Sequence, residues 1–223
     1  MLLIALLTLS LAFAATQAAY THQCNKYVII SSRGTEERQG PSFTMPHMIA
    51  NTLSAVPGGV EVDTIYPADW NLHSEIGAKW IVDFMHAGMR ACPKQEYVLI
   101  GYSQGAMVSS LAIQSLINSG SPALNAIKAA VFLGNPFHVP GRAGNVDGHG
   151  GGATMSAVGA ASGQNPGGVN GFAQSGRLLD ICLEGDTVCS RQPSQNPGAH
   201  GDYGRDAIVQ QMASSFLIKH LRN

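Results

Sequence analysis

Short apolar runs alternate along this chain with longer segments in which apolar residues recur at helical spacing. Residues 27–30 (Tyr-Val-Ile-Ile), 60–65, 97–100, 129–133 and 178–182 read as strands. Between them, residues 42–55 read as a helix with Pro46 in its first turn. Residues 74–90 read as an amphipathic helix with Ile76, Trp80, Ile81, Phe84 and Met85 on one face and Pro93 beyond its end. A third helix runs from Ala106 to about Asn118, and a last one covers 203–221 with Ile208, Met212, Phe216 and Leu217 inward. Apolar strands alternating regularly with helices predict an α/β fold: one domain with a central, mostly parallel five-stranded sheet covered on both faces. In such sheets the functional site lies at the carboxyl ends of the strands.

Two segments break the alternation. Residues 141–176 are poor in apolar side chains and rich in Gly, Ala, Ser and Asn. That is long for a structureless connection, and the segment reads equally as a surface loop or as a flap over the site. Residues 2–15 are apolar apart from Thr8 and Ser10, too short for a comfortable membrane span. Ala12-Phe13-Ala14 and Thr16-Gln17-Ala18 follow as small-residue cleavage options. Residues 1–18 therefore read as a secretion signal, although no Lys or Arg precedes the apolar run. Residues 19–223 are then a single extracellular domain, large enough to bury a substantial core.

The four cysteines agree with an oxidising compartment. Cys182 and Cys189 are near enough in sequence to close a small loop, which leaves Cys24 for Cys92, one of three pairings that four cysteines allow. No C-x-x-C or neighbouring histidine pair suggests a metal site. The net charge is −1, with 13 basic against 14 acidic side chains, which argues against nucleic acid or an anionic membrane as the main partner. No second long apolar run is present to span a membrane, and a monomer is expected.

The chemistry concentrates at Gly101-Tyr102-Ser103-Gln104-Gly105, between a predicted strand and a predicted helix. Strand, G-x-S-x-G turn and helix are the elements of a nucleophile elbow. A nucleophilic serine needs a base and an acid to orient it. Of the downstream histidines, His138 and His149 lie near or in the glycine-rich segment, and His220 lies near the end of the last helix. His200, in a Gly-, Pro- and Asn-containing loop just before that helix, is placed to swing over the sheet edge toward Ser103. The candidate acids are Glu184 and Asp186, beside Gly185 in the Cys182–Cys189 loop, while Asp180 reads as a structural hydrogen-bonding group at a strand end.

With these motifs in view the chain resembles the cutinase family of α/β hydrolases. Arg33-Gly34-Thr35 is similar to that family's R-G-[ST] segment, and the G-Y-S-Q-G turn to its elbow. The segment from Asp180 to Cys189 is similar to its acid-bearing D-x-C-x-x-G-D-x-V-C, and His200 is followed by Tyr203. Gly134-Asn135-Pro136 and Gly144-Asn145-Val146-Asp147 resemble the fungal cutinase-like esterase branch. The likeness extends from about Cys24 to Leu221 and departs around residues 196–203, which are shorter and carry different apolar flanks. It implies Ser103 as nucleophile, His200 as general base and acid, Asp186 as orienting acid, and Thr35 and the backbone N–H of Gln104 as oxyanion donors. Arg33 is expected to serve packing rather than catalysis. No cofactor or metal is implied. The implied activity is that of a secreted serine esterase acting on cutin-type polyesters and short-to-medium-chain esters. An acetylxylan esterase of the same family is the alternative, and an inactive binding or effector protein on this scaffold is a third reading. The substrate partner is then an insoluble polyester or an acetylated polysaccharide.

Overall fold

The computed structural model describes residues 24–164, 167–191, 196 and 198–223. The expected secretion signal, residues 1–18, lies outside them. Strand β1 (Tyr27–Ser32) is buried along its whole length and sends Tyr27 and Ile29 to one face and Val28 and Ile30 to the other. It lies between β2 (Gly59–Asp63) and β3 (Glu96–Tyr102), in parallel with both. Strand β4 (Ile127–Leu133) pairs with β3, and β6 (Leu178–Ile181) pairs with β4. Each of these strands is joined to the next by a helical crossover, so the pairing is parallel throughout.

Two helical layers cover the sheet. On one face α2 (Ser74–Ala91) and α3 (Gln104–Asn118) pack together over Val28, Ile30, Leu99 and Phe132, with the short α4 (Ala123–Ala126) beside them. Gly77 lets them approach, since a Cβ there would stand 2.8 Å from Cγ1 of Val108. On the other face α1 (Pro46–Ala55) and α7 (Ala207–Arg222) cover Tyr27, Ile29, Val98 and Val131. A disulfide joins Cys24 to Cys92, with Cα atoms 5.6 Å apart, and another joins Cys182 to Cys189, at 5.8 Å. Among the described residues no helix is long and apolar enough to cross a membrane.

The single-domain α/β reading holds, with three corrections. The sheet has six strands in the order β2-β1-β3-β4-β6-β5, rather than five. The extra one, β5 (Asn145–Val146), is too short to leave a periodic signal and exists because it pairs with Asp180 and Ile181. Two helices start later than their sequence patterns suggest. Before α1, the Glu37 carboxylate accepts from the Ser42 hydroxyl at 3.0 Å and the Phe43 amide at 2.9 Å, holding that stretch as a turn. Before α7, the Asp206 carboxylate caps the helix by accepting from the amides of Ile208 and Val209. The inward faces shift accordingly. Ile208 and Ile76 are exposed, while Val209, Ala213, Leu217 and Leu221 of α7 form its buried stripe.

The glycine-rich 141–176 segment is built rather than structureless. It contains β5, a 3-10 turn (Ser162–Gln164) and α5 (Asn170–Gln174), and it delivers Val169, Phe172 and Ala173 to the core. Its first half wraps around the Asp147 carboxylate, which accepts from the amides of His149 at 2.8 Å, Gly151 at 2.9 Å and Ala153 at 2.9 Å. The Ala153 amide, then those of Gly151 and His149, hold this carboxyl below its ordinary value against the upward push of burial. A lowered native pKa makes the contribution complete above the ordinary carboxylate range and lost as pH falls through the native value. Asp147→Ala should therefore lower stability by about 1–3 kcal/mol at neutral pH. Urea unfolding at pH 7 and pH 3 should show that difference shrinking in acid.

Candidate active site

Ser103 occupies the single residue between β3 and α3, with φ 53° and ψ −118°. A serine held there is strained by about 1–3 kcal/mol. The strain persists because the turn is locked on several sides. The Ser103 amide donates to the Leu133 carbonyl at 2.9 Å. A Cβ on Gly101 would collide with the Gly105 backbone, and one on Gly105 with the Ser32 carbonyl. The two glycines thus let α3 pass directly against β1 and β3.

His200 lies in a 3-10 turn (Ala199–Gly201), reached by the loop that precedes α7. Its Nε2 stands 2.9 Å from the Ser103 hydroxyl, and its Nδ1 stands 2.9 Å from Oδ2 of Asp186. Asp186 caps the short helix α6 (Thr187–Ser190), its Oδ1 accepting from the Val188 amide at 2.8 Å. The Cys182–Cys189 bond closes this same loop. Burial pushes the Asp186 carboxyl upward, but hydrogen bonding and attraction from His200, then the Tyr203 and Val188 donors, outweigh it and leave the pKa lowered. Gly134 also matters here. It has φ 57°, and a Cβ on it would stand 2.8 Å from Cε1 of His200 and 2.9 Å from Oδ2 of Asp186.

Two tyrosines fix the histidine and the acid. The Tyr102 hydroxyl donates to the His200 carbonyl at 2.8 Å, and the two rings lie 5.0 Å apart. The fully buried Tyr203 accepts from the Leu183 amide at 3.1 Å and donates to Oδ2 of Asp186 at 2.6 Å. Burial and the Asp186 charge push its phenol well up, so the proton stays on the tyrosine. In the sequence Tyr203 is legible only as a companion of His200, because nothing local says where its hydroxyl ends.

Thr35 follows β1 and lines the same cleft as Ser103, Gln104 and His200. Its hydroxyl donates to Oε1 of Gln104 at 3.0 Å. Neither the Thr35 nor the Gln104 amide N–H has a hydrogen-bond partner among the described residues. Arg33 points elsewhere. It donates to the carbonyls of Glu37 and Tyr66, with its guanidinium 4.7 Å from the centre of the Tyr66 ring. The remaining sequence candidates stay apart from Ser103. Glu184 and His149 are exposed. His138 and Asp180 form a fully buried ion pair at 3.2 Å, with Asn135 donating to Asp180 at 2.9 Å.

The cleft holds about 440 Å³. Its lining includes Trp70 and Leu72, both exposed, and the buried Met107. Pro136, Ala160, Ala161 and Val188 line it as well. The glycine-rich segment therefore contributes to the site, anchored by the Ala160 amide on the Val188 carbonyl at 2.7 Å and the Ala161 amide on the Pro136 carbonyl at 2.8 Å. A wider cleft of about 720 Å³ lies beside Cys24, Cys92 and Glu96, at the opposite end of β3 from Ser103.

A parallel sheet with a strained serine elbow at its carboxyl edge is the architecture of an α/β hydrolase. The cutinase family model matches residues 23–221, so the chain belongs to the cutinase family and is a carboxylic ester hydrolase of the serine esterase type. It is 27% identical to an acetylxylan esterase of Hypocrea jecorina, over 93% of this chain and 74% of that one. It is also 27% identical to cutinase 4 of Emericella nidulans, over 87% and 71%. Among solved structures, a cutinase-like protein from Cryptococcus sp. superposes with a TM-score of 0.81 at 35% identity, covering 89% of this chain and 96% of that one. The catalytic core of acetyl xylan esterase from Trichoderma reesei shares the fold, with a TM-score of 0.69 at 22% identity over 89% of this chain and 100% of that one.

Replacing Tyr203 by Phe removes the donor to Asp186 while keeping the ring. We expect kcat/KM on a soluble ester to fall about tenfold, the scale of a hydrogen bond to a charged group. Steady-state kinetics beside a thermal melt would check this, and unchanged kinetics would dismiss the contact.

Proposed function

We propose that this protein is a secreted cutinase-type esterase in which Ser103, His200 and Asp186 act as a triad. The observation that carries the reading is the continuous chain of 2.9 Å contacts from the Ser103 hydroxyl through His200 to Asp186. His200 takes the serine proton as Oγ attacks the ester carbonyl. Asp186 holds the imidazole in orientation and stabilises the charge that develops on it. The carbonyl oxygen becomes an oxyanion held by the amide N–H groups of Gln104 and Thr35, with the Thr35 hydroxyl beside them. His200 then gives the proton to the departing alcohol. Water repeats the attack on the acyl-enzyme and regenerates Ser103.

The substrate reading is a cutin-type polyester or a short-to-medium-chain ester. The apolar side chains that line the cleft with Ser103 suit an acyl chain, and Trp70, 73% exposed, suits an apolar surface. The likeness to the cutinase-like protein from Cryptococcus sp. supports the same choice. The acetylxylan esterase of Hypocrea jecorina, matched over 93% of the chain, favours the second reading, deacetylation of xylan. Export follows from the apolar residues 2–15 and from the two disulfides, with residues 19–223 as a monomeric mature domain.

The test is a p-nitrophenyl ester series from acetate to palmitate, together with acetylated xylan, on wild type and Ser103→Ala. Preference for butyrate and longer chains, reduced more than about 10⁴-fold in the variant, is the expected outcome. Strict acetate preference with acetate released from xylan would move the assignment to acetylxylan esterase. Turnover indifferent to Ser103 would remove the triad reading.

A further inference from the structure

His138 and Asp180 form a buried histidine–carboxylate pair that takes no part in the ester chemistry proposed above. Both are fully buried, with Nδ1 and Oδ1 3.2 Å apart, and neither lines the cleft of Ser103. Asp180 lies on β6, and Asn135 donates to its other oxygen at 2.9 Å. On the far side of the ring, Nε2 of His138 stands 3.2 Å from the Thr154 carbonyl. A carbonyl and a carboxylate can only accept hydrogen bonds, so both ring nitrogens face acceptors. A neutral ring would turn a lone pair toward one of them. Nδ1 and Oδ1 are close but make no hydrogen bond, so their contact acts through charge. The geometry is that of an imidazolium beside a carboxylate. The charged groups acting on the ring are Asp180, which attracts, and Arg142, which repels. Burial pushes its pKa down, but the attraction of Asp180, helped by the Thr154 carbonyl, outweighs burial and leaves it raised.

The backbone around His138 carries part of the cleft lining. The His138 carbonyl accepts from the Gly159 amide at 2.9 Å, and the Pro136 carbonyl accepts from the Ala161 amide at 2.8 Å. A Cβ on Gly159 would stand 2.4 Å from the Pro136 carbonyl oxygen and 2.8 Å from the His138 nitrogen, so the two stretches run in direct contact. Pro136, Ala160 and Ala161 line the cleft with Ser103. Thr154 ties the arrangement to the loop that carries Asp186, its hydroxyl donating to the Cys182 carbonyl at 2.7 Å. From the end of β4 to residue 161 the only regular element is the two-residue β5, so side-chain anchors hold this stretch in place of a ladder.

We propose that the charged His138–Asp180 pair is a positioning element that fixes the Pro136 and Ala160–Ala161 lining and thereby sets how far the enzyme favours long acyl chains over acetate. The proposal rests on the esterase reading above and lays the acyl chain along this lining. A lining already held in place offers its contacts at no further ordering cost, whereas a loosened one must be ordered by the substrate. An acetyl group is too short to meet that cost. The effect therefore belongs in KM for long chains rather than in kcat. A raised native pKa makes the pair complete below the ordinary histidine range and lost as pH rises through the native value. Selectivity for long chains should fall with it.

The charge is read directly by ring-nitrogen NMR. At about pH 8, where an ordinary histidine is neutral, both nitrogens of His138 should carry protons. His138→Gln assigns the signal by its loss, and a neutral His138 at that pH would overturn the proposal. The consequence is read with p-nitrophenyl acetate and octanoate. His138→Gln keeps an amide donor but no charge. We expect its KM for octanoate to rise about fivefold, with KM for acetate and both kcat values changed less than about twofold. Asp180→Asn should shift selectivity in the same way, and the double variant should add nothing further. Equal losses on both esters, or an unchanged octanoate-to-acetate ratio, would overturn the proposal and leave the pair a structural role alone. Should neither variant fold, the wild type suffices. Its octanoate-to-acetate ratio of kcat/KM should fall over the pH range in which NMR shows His138 losing its proton. Titration of His200 cancels from that ratio because both esters require it. A ratio that stays constant over that range would overturn the proposal. Turnover of both esters that does not require Ser103 would instead defeat the esterase reading, while the charge on His138 would still be measurable.

Discussion

The structure depends on one close approach, the passage of α3 across the ends of β1 and β3 at a turn of a single residue. That approach holds Ser103 at φ 53°, directly before the first residue of α3. It is possible because residues 101 and 105 carry no side chain where the Gly105 backbone and the Ser32 carbonyl stand. The strain at Ser103 is offset by the surrounding sheet, whose strands are buried on both faces and cannot relax locally. Thr35 lines the cleft for a related reason. It follows β1, the strand that Gly105 lies against, so the R-G-T segment emerges beside the serine.

A second organising centre surrounds Asp186. The disulfide, the helix cap and two side-chain donors converge on one loop, and Oδ2 receives both His200 and Tyr203. A carboxylate with this many donors stays ionised despite complete burial, the state that the proposed triad requires of its acid. Histidine and acid stand only 14 residues apart in the chain, in successive turns, and Tyr102 and Tyr203 hold the two in register. Position and charge are thus set by the same contacts.

The glycine-rich segment shows how a stretch with little periodic signal acquires a defined place. Its conformation is written mainly in hydrogen bonds to its own backbone, around Asp147, and in a few apolar side chains near its end. Where it passes the site it presents Ala160 and Ala161, small side chains that shape a wall without filling the cleft.

The layered α/β architecture was legible in the sequence because apolar strands buried on both faces leave continuous runs and their crossovers leave helical ones. The candidates Ser103 and His200 were legible too, since a strand–G-x-S-x-G–helix order and a loop histidine before the last helix are local signals, whereas the cysteine spacing left Glu184 and Asp186 both open as the acid and only the family resemblance implied Asp186. The delayed starts of α1 and α7 were not, because they are set by single carboxylates, Glu37 and Asp206, that accept nearby hydrogen bonds and leave no apolar period; nor was strand β5, which is set by its pairing with the distant β6. The inward face of α7 shifted for the same reason, as docking on the sheet rather than periodicity alone chose Val209 over Ile208. The contact of Tyr203 with Asp186 was invisible for a stricter reason. A hydroxyl acts through the direction of one hydrogen, and that direction is decided only when the tertiary fold brings Asp186 within reach.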